Sequence, residues 1–125
     1  MMIKELKMKQ DYDASNDSLF IYAAENHNYK ESLEVSSNII LDFDEDYIPR
    51  AIEILGASKI LNINKNSLKH LSNVDVLVDV SEELVHIKAS FTVSNQETIG
   101  KPLDVKTIND LSLPQLQAHF ELGKV

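Results

Sequence analysis

The chain has 125 residues, which suits one domain or two small lobes that share a core. Its formal net charge is −8, and an acidic surface disfavours direct binding to the phosphates of DNA or RNA. It contains no cysteine, which excludes disulfides, zinc–thiolate sites and thiol catalysis.

The hydropathy of the chain indicates a protein outside the membrane. No apolar run approaches the roughly 18 residues that a membrane-spanning helix needs. The N-terminus, MMIKELKMKQ, alternates charged and apolar residues and has no apolar signal core. We therefore expect a cytoplasmic protein with no nucleic-acid partner, no membrane partner and no cofactor.

Alternation of apolar and polar residues predicts five strands in the first half of the chain, at residues 3–9, 18–24, 31–36, 38–44 and 48–55. Lys4, Lys7 and Lys9 make the first strand typical of a sheet edge. The second strand is apolar on both faces, and one of these faces carries Phe20 and Tyr22. This pattern predicts either burial on both sides or an interface with a partner.

The periodicity changes after Gly56. Residues 57–61 and 64–72 have a helical pattern, with Asn64 as the expected N-cap of the second piece. Strands are then predicted at residues 74–80, 84–93, 103–107 and 116–122. Ser112 followed by Pro114 is also typical of a helix start, but the period of two in the last segment favours a strand.

These elements predict an α+β fold, mainly antiparallel β with one or two short helices near residues 57–72. The helical element divides the chain into two β-rich segments, residues 1–62 and 63–125. Whether the two segments share one core is left open by the pattern.

Two stretches of the first segment carry a resemblance to a known family. They are residues 12–21, YDASNDSLFI, and residues 42–58, DFDEDYIPRAIEILGAS. The segment resembles the domain-of-unknown-function family 2283, whose members have a YDxxxDxLYI-like start and a DxDEDG…GIEIL-AS-like end. The chain departs from this pattern at Tyr47, which replaces the turn glycine, and at Ala51, which replaces a second glycine.

The resemblance implies a small, mainly β protein of prokaryotes with no assigned activity. Some members of the family are similar to antitoxin-like partners of small toxins. The second segment resembles an extension that longer archaeal members have. No catalytic residue and no ligand are implied by the resemblance.

The acidic turn after residue 41 is a candidate metal site. Asp42, Asp44, Asp46 and Glu53 match positions 1, 3, 5 and 12 of a calcium-binding loop. Tyr47, however, stands where such a loop needs glycine, and the flanking segments are strands instead of helices. A solvated hairpin turn is therefore the favoured interpretation, and a weak divalent-cation site through Asp42–Asp46 is the alternative.

The other polar candidates have simple structural interpretations. Asp13 and Asp17 lie near Tyr12 and form a possible pair of acid–base carboxylates, although turn formation explains them as well. The histidines, His27, His70, His86 and His119, show no metal-ligand spacing and are expected to be exposed. The sequence has no nucleophile elbow, no phosphate loop and no GxGxxG motif.

The sequence therefore favours a non-enzymatic binding or assembly module. We expect either a homo-oligomer or an antitoxin-like partner of a small protein, with Phe20 and Tyr22 in the interface. The alternative is a weak divalent-metal-binding protein that uses the turn at Asp42, Asp44 and Asp46, and a third hypothesis is a hydrolase that uses Asp13, Asp17 or Glu53.

Overall fold

The structure is a computed structural model that describes residues 3–93 and 100–122. This part of the chain forms nine strands and two short helices. The strands are β1 (Ile3–Asp13), β2 (Ser18–Ala23), β3 (Tyr29–Ser36), β4 (Ile39–Asp44), β5 (Pro49–Leu55), β6 (Leu71–Val80), β7 (Leu84–Val93), β8 (Leu103–Ile108) and β9 (Leu116–Leu122). The helices are α1 (Ala57–Leu61) and α2 (Lys65–Leu68).

The strands belong to one sheet with the order β3-β4-β5-β2-β1-β9-β6-β7-β8. All neighbouring strands are antiparallel except β1 and β9, which run parallel from Ile3 beside Gln117 to Lys7 beside Glu121. The end strands β3 and β8 approach each other, with Cα atoms within 8 Å, so the sheet curls into a nearly closed barrel.

One hydrophobic core fills the inside of the curled sheet. Alternate residues of the strands point into it, as the period of two requires. The largest fully buried side chains include Phe43 from β4, Phe91 from β7 and Phe120 from β9, so both halves of the chain contribute to the cluster. The division at residue 62 stays a prediction.

The predicted class, α+β, gives too much weight to the helices. The helices have five and four residues, and the protein is better described as all-β. The mainly antiparallel pattern, the short helices near residues 57–72 and the strand at 116–122 are confirmed. The second helix ends early because Leu71, three residues after Leu68, already points into the core as the first residue of β6.

The prediction that the first strand lies at an edge is wrong. β1 lies between β2 and β9 and pairs with both of them. Lys7 and Lys9 are exposed on the outer face of the sheet, while Leu6 and Met8 are buried in the core. Among the described residues, none of the helices is long and apolar enough to cross a membrane.

Candidate functional site

Asp17 links the turn between β1 and β2 to the start of α1. Its carboxylate accepts hydrogen bonds from the Tyr12 hydroxyl at 2.6 Å, from the Ser58 backbone N–H at 3.0 Å and from Ser58 Oγ at 2.7 Å. Its carbonyl oxygen accepts a hydrogen bond from the Ala57 N–H at 2.9 Å. The two stretches that carry the family resemblance therefore meet at this carboxylate.

The protonation state of the Asp17 network suits a structural role. Burial by itself raises the pKa of Asp17, but hydrogen bonds from Ser58 and Tyr12 and the charge of Lys65 outweigh it, so the pKa is lowered. Burial and the hydrogen bond to Asp17 raise the pKa of Tyr12 to about 12. Because an efficient acid–base group has a pKa near the working pH, neither residue is poised for proton transfer at neutral pH.

Asp13 stabilises the same turn through a different set of hydrogen bonds. Its carboxylate accepts hydrogen bonds from the backbone and side chain of Ser15 and of Asn16, an arrangement typical of a turn. Asp13 and Asp17 are therefore engaged by different donors. The hydrolase hypothesis that used Asp13, Asp17 or Glu53 stays a prediction.

Asp44 is buried and holds the acidic turn together through hydrogen bonds to its carboxylate. Only 4% of its surface is exposed, and its carboxylate accepts hydrogen bonds from the N–H groups of Asp46 at 2.8 Å and Ile48 at 3.0 Å. Arg50 Nε lies 2.6 Å from Asp44 Oδ2 and forms an ion pair with it. Burial opposes ionisation of Asp44, but these donors prevail and lower its pKa.

The three aspartates proposed as metal ligands have separate surroundings. Asp44 is occupied by Arg50, Asp42 accepts a hydrogen bond from Ser32 Oγ at 2.5 Å, and Asp46 is exposed. Within residues 3–93 and 100–122, the group of three metal-type ligands that lie close together includes none of these aspartates. The metal hypothesis for this turn stays a prediction.

Tyr47 shows why the family pattern has glycine at this position. Its φ is +62°, a left-handed conformation that glycine adopts without steric cost. The ring of Tyr47 packs against the core, and Lys30 Nζ lies 5.1 Å from the ring centroid. The turn thus adopts a left-handed conformation at a residue other than glycine, with its ring packed against the core.

Phe20 and Tyr22 lie on the outer face of β2. Their rings stack with centroids 5.1 Å apart and an interplanar angle of 21°. Leu19 and Ile21 on the opposite face are fully buried, whereas Phe20 and Tyr22 are half-buried. Among the described residues, therefore, this face of β2 is less buried than the face with Leu19 and Ile21.

The aromatic pair adjoins a partly buried glutamate on the same face of the sheet. Phe20 lies beside Glu53 of β5, which in turn lies beside Ile40 of β4. Desolvation, followed by the charge of Asp42, raises the pKa of Glu53. We call this surface, with Phe20, Tyr22, Ile40, Ala51 and Glu53, the aromatic face.

His119 is surrounded by carboxylates on the outer face of β9. Its Nδ1 lies 2.8 Å from Glu5 Oε1 of β1, and its Nε2 lies 2.5 Å from Asp75 Oδ1 of β6. The hydrogen bond with Glu5 raises the pKa of His119, and Asp75 adds to this effect against the opposing effect of burial. Asp75, His119 and Glu121 offer ligand atoms within 4.8 Å of one another.

The remaining histidines are placed apart from His119. His70 is exposed, as predicted, and His27 is partly exposed. His86 on β7 contacts Asp104 at 2.5 Å, and β6 separates it from β9. The alternation of β9 predicts that His119 points outward, but its neighbours depend on strand pairings that local sequence does not reveal.

A shallow groove adjoins the His119 cluster. It has a volume of about 400 Å³ and lies across β6, β7 and β8. Its polar side chains are those of Asp75, Lys88, Ser90 and Asp104. Asp75 therefore belongs both to the groove and to the group around His119.

Comparison with known proteins places the chain in a family without assigned chemistry. Residues 9–58 match the model of the family "Protein of unknown function (DUF2283)". A protein of Methanosarcina mazei named "Putative hypoxanthine phosphoribosyltransferase" is 36% identical over 98% of this chain and 99% of its own length. An uncharacterized protein of Methanocaldococcus jannaschii is 32% identical over 88% of this chain and 95% of its own length.

No solved structure is significantly similar to the chain. The match over residues 9–58 contains the Tyr12, Asp17 and Ser58 network and the Asp44 turn, and the similarity to the Methanosarcina mazei protein extends over 98% of the chain. The chain belongs to the family of the protein of unknown function DUF2283.

Proposed function

We propose that the protein is a non-enzymatic assembly module that forms a homodimer through its aromatic face. The observation that carries this proposal is the stacked, half-buried pair Phe20 and Tyr22 on an outer sheet surface. Aromatic residues are enriched at the centres of protein interfaces because they bury much area with little loss of side-chain entropy.

The charges around the aromatic face favour a second copy of the same chain as the partner. Lys9, Tyr22, Ala51 and Asp42 lie side by side on four neighbouring strands. Lys9 is thus at one end of the row and Asp42 at the other. A two-fold axis through the middle of the row brings Lys9 of each copy towards Asp42 of its partner, as a self-complementary interface requires.

The proposal does not extend the transferase name of the Methanosarcina mazei protein to this chain. Transfer of a phosphoribosyl group needs a site for phosphate, which proteins often build from a glycine-rich loop at a helix N-terminus. The chain has three glycines, at positions 56, 100 and 123, and its described helices have five and four residues. These features do not match a phosphate site of that kind.

Light scattering coupled to gel filtration over a range of concentrations tests the proposal. We expect a dimer for the natural chain and a monomer for Tyr22→Glu, because dimer formation would have to remove water from a new charge at the centre of the interface. Ile108→Glu is the matched control, since Ile108 is 69% exposed on β8, away from the aromatic face. A natural chain that stays monomeric at high concentration would contradict the proposal.

A charge exchange tests the orientation of the two copies. Lys9→Glu and Asp42→Lys are each expected to weaken the dimer, and the double variant is expected to recover it because the attraction is restored with opposite sign. Recovery supports the two-fold arrangement. Additive weakening in the double variant would show that Lys9 and Asp42 do not meet across the interface.

A further inference from the structure

The outer face of β1, β9 and β6 has the chemistry of a transition-metal site. Glu5, His119, Asp75 and Glu121 come from three adjacent strands, and their order on the sheet is set by the register. Glu5 lies beside His119, and Glu121 lies beside Asp75. His119 on β9 is two strands away from the Phe20 and Tyr22 pair on β2, and the metal group shares no residue with the proposed dimer interface.

The fold holds these side chains in place. Val74, Val76, Phe120 and Leu122 alternate with the polar residues of β6 and β9 and are buried in the core. A shift of one residue in either strand would turn these apolar side chains towards water. Asp75 and Glu121 are therefore kept directly opposite each other, although two like charges in that position repel.

His119 is oriented as a metal-binding histidine usually is. Such a histidine donates one ring N–H to a carboxylate, which fixes the tautomer and leaves the other nitrogen for the metal. Glu5 accepts from Nδ1 at 2.8 Å, and Nε2 donates to Asp75 Oδ1, so a metal ion that binds Nε2 displaces this proton to solvent. The ligand atom of Glu121 lies within the same 4.8 Å group.

We propose that His119 Nε2 and the carboxylates of Asp75 and Glu121 bind a divalent transition-metal ion, and that Glu5 orients His119. One imidazole with two carboxylates suits Zn²⁺ and its first-row neighbours, whereas Ca²⁺ and Mg²⁺ prefer oxygen ligands throughout. The remaining coordination positions are open to solvent and to the groove that Asp75 lines.

The present geometry needs only a small adjustment to admit the ion. Two ligands of a tetrahedral zinc ion lie about 3.3 Å apart, since each is about 2.0–2.1 Å from the metal. His119 Nε2 and Asp75 Oδ1 are 2.5 Å apart and form a direct contact. Asp75 has a half-exposed side chain, so a rotation of its carboxylate opens the required space without a change in the strands.

Calorimetric titration of the full chain with ZnCl₂ tests the site. We expect one equivalent to bind, His119→Gln to weaken binding by more than about 100-fold and Glu5→Gln to weaken it by about 10-fold. His86→Gln is the matched control because His86 also faces outward and contacts a carboxylate, Asp104. This control is expected to bind Zn²⁺ as the natural chain does.

A spectroscopic measurement on the natural chain makes the test independent of variant folding. Paramagnetic Co²⁺ should broaden the NMR signals of the His119 ring at substoichiometric amounts and leave those of His86 sharp. Absence of saturable Zn²⁺ binding, unchanged binding in His119→Gln, or equal binding of Ca²⁺ would each overturn the proposal. Equal binding of Ca²⁺ would point instead to the acidic turn.

Discussion

The carboxylates of β1–β5 and those of β6–β9 are used in different ways. Asp17 and Asp44 each accept hydrogen bonds from three donors of the protein itself. Asp75 and Glu121 instead lie opposite each other near one imidazole. The first pair joins turns and helices, and the second pair is held at the surface by strands that the core positions.

Under the proposed metal site, this difference separates folding from binding within one sheet. The hydrogen bonds that Asp44 accepts within the protein favour a structural role for the acidic turn, despite its calcium-like spacing. The family match covers the first kind, at residues 9–58, and offers no chemistry for the second.

Replacement of Asp44 should give the largest loss of stability. In Asp44→Ala the two backbone N–H groups of the turn and the Arg50 guanidinium lose their acceptor, and the side chain of Arg50 is only 13% exposed. Breaking a buried ion pair costs about 3–5 kcal/mol. We expect a loss of this size in urea unfolding.

Asp46→Ala is the control for Asp44→Ala, because it removes an exposed carboxylate of the same turn. Its free energy of unfolding should change by less than about 0.5 kcal/mol. Equal losses in the two variants would contradict the assignment of Asp44 as the organiser of the turn.

Asp17→Asn should give an intermediate loss that depends on pH. At pH 7 we expect about 2 kcal/mol, because hydrogen bonds to a charged acceptor become hydrogen bonds to a neutral one. The folded pKa of Asp17 is lowered, so its contribution is complete above the unfolded pKa and is lost as pH falls through the folded pKa. The unfolding free energies of the two proteins should therefore converge in acid.

Urea titrations at several pH values measure this convergence. Asp13→Asn serves as the comparison, since Asp13 is an exposed residue whose hydrogen bonds stay within its own turn. A difference in unfolding free energy between the natural chain and Asp17→Asn that stays constant down to low pH would contradict this expectation. It would show that the network depends on the shape of the Asp17 side chain and not on its charge.

Asp75→Asn should have the smallest effect on stability. In the metal-free protein it removes an exposed contact with His119 and also a repulsion with Glu121, and the two effects oppose each other. We expect a change within about 0.5 kcal/mol. A loss of unfolding free energy as large as that of Asp44→Ala would show that Asp75, like Asp44, is needed for stability. It would contradict the difference between the carboxylates of β1–β5 and those of β6–β9.

Local sequence predicts most of the strands because one face of each strand is buried. Strand β7 is the clearest example, since Val85, Ile87 and Phe91 are buried and alternate with polar residues. The N-cap role of Asn64 is also correct, as its side chain accepts a hydrogen bond from the Ser67 N–H.

The contacts that local sequence does not predict depend on pairings between distant residues. The Asp17–Ser58 link joins residues 41 apart, and the His119 group joins residues 44 and 114 apart. The alternation of apolar and polar residues along one strand does not predict contacts between residues so far apart. The edge position predicted from the lysines of β1 is wrong for the same reason. The parallel partner of β1 is β9, 114 residues away in the sequence, and local sequence does not reveal that pairing.

The parallel seam between β1 and β9 has a consequence for the order of folding. Strands β1–β5 pair among themselves, so they can associate before β9 has been synthesised, and β1 is then an unpaired edge. Lys4 and Lys7 are exposed in the part of β1 that pairs with β9, and lysines oppose pairing of an open edge with another chain. The lysine pattern that is misleading for the finished barrel thus suits a folding intermediate in which β9 has not yet paired.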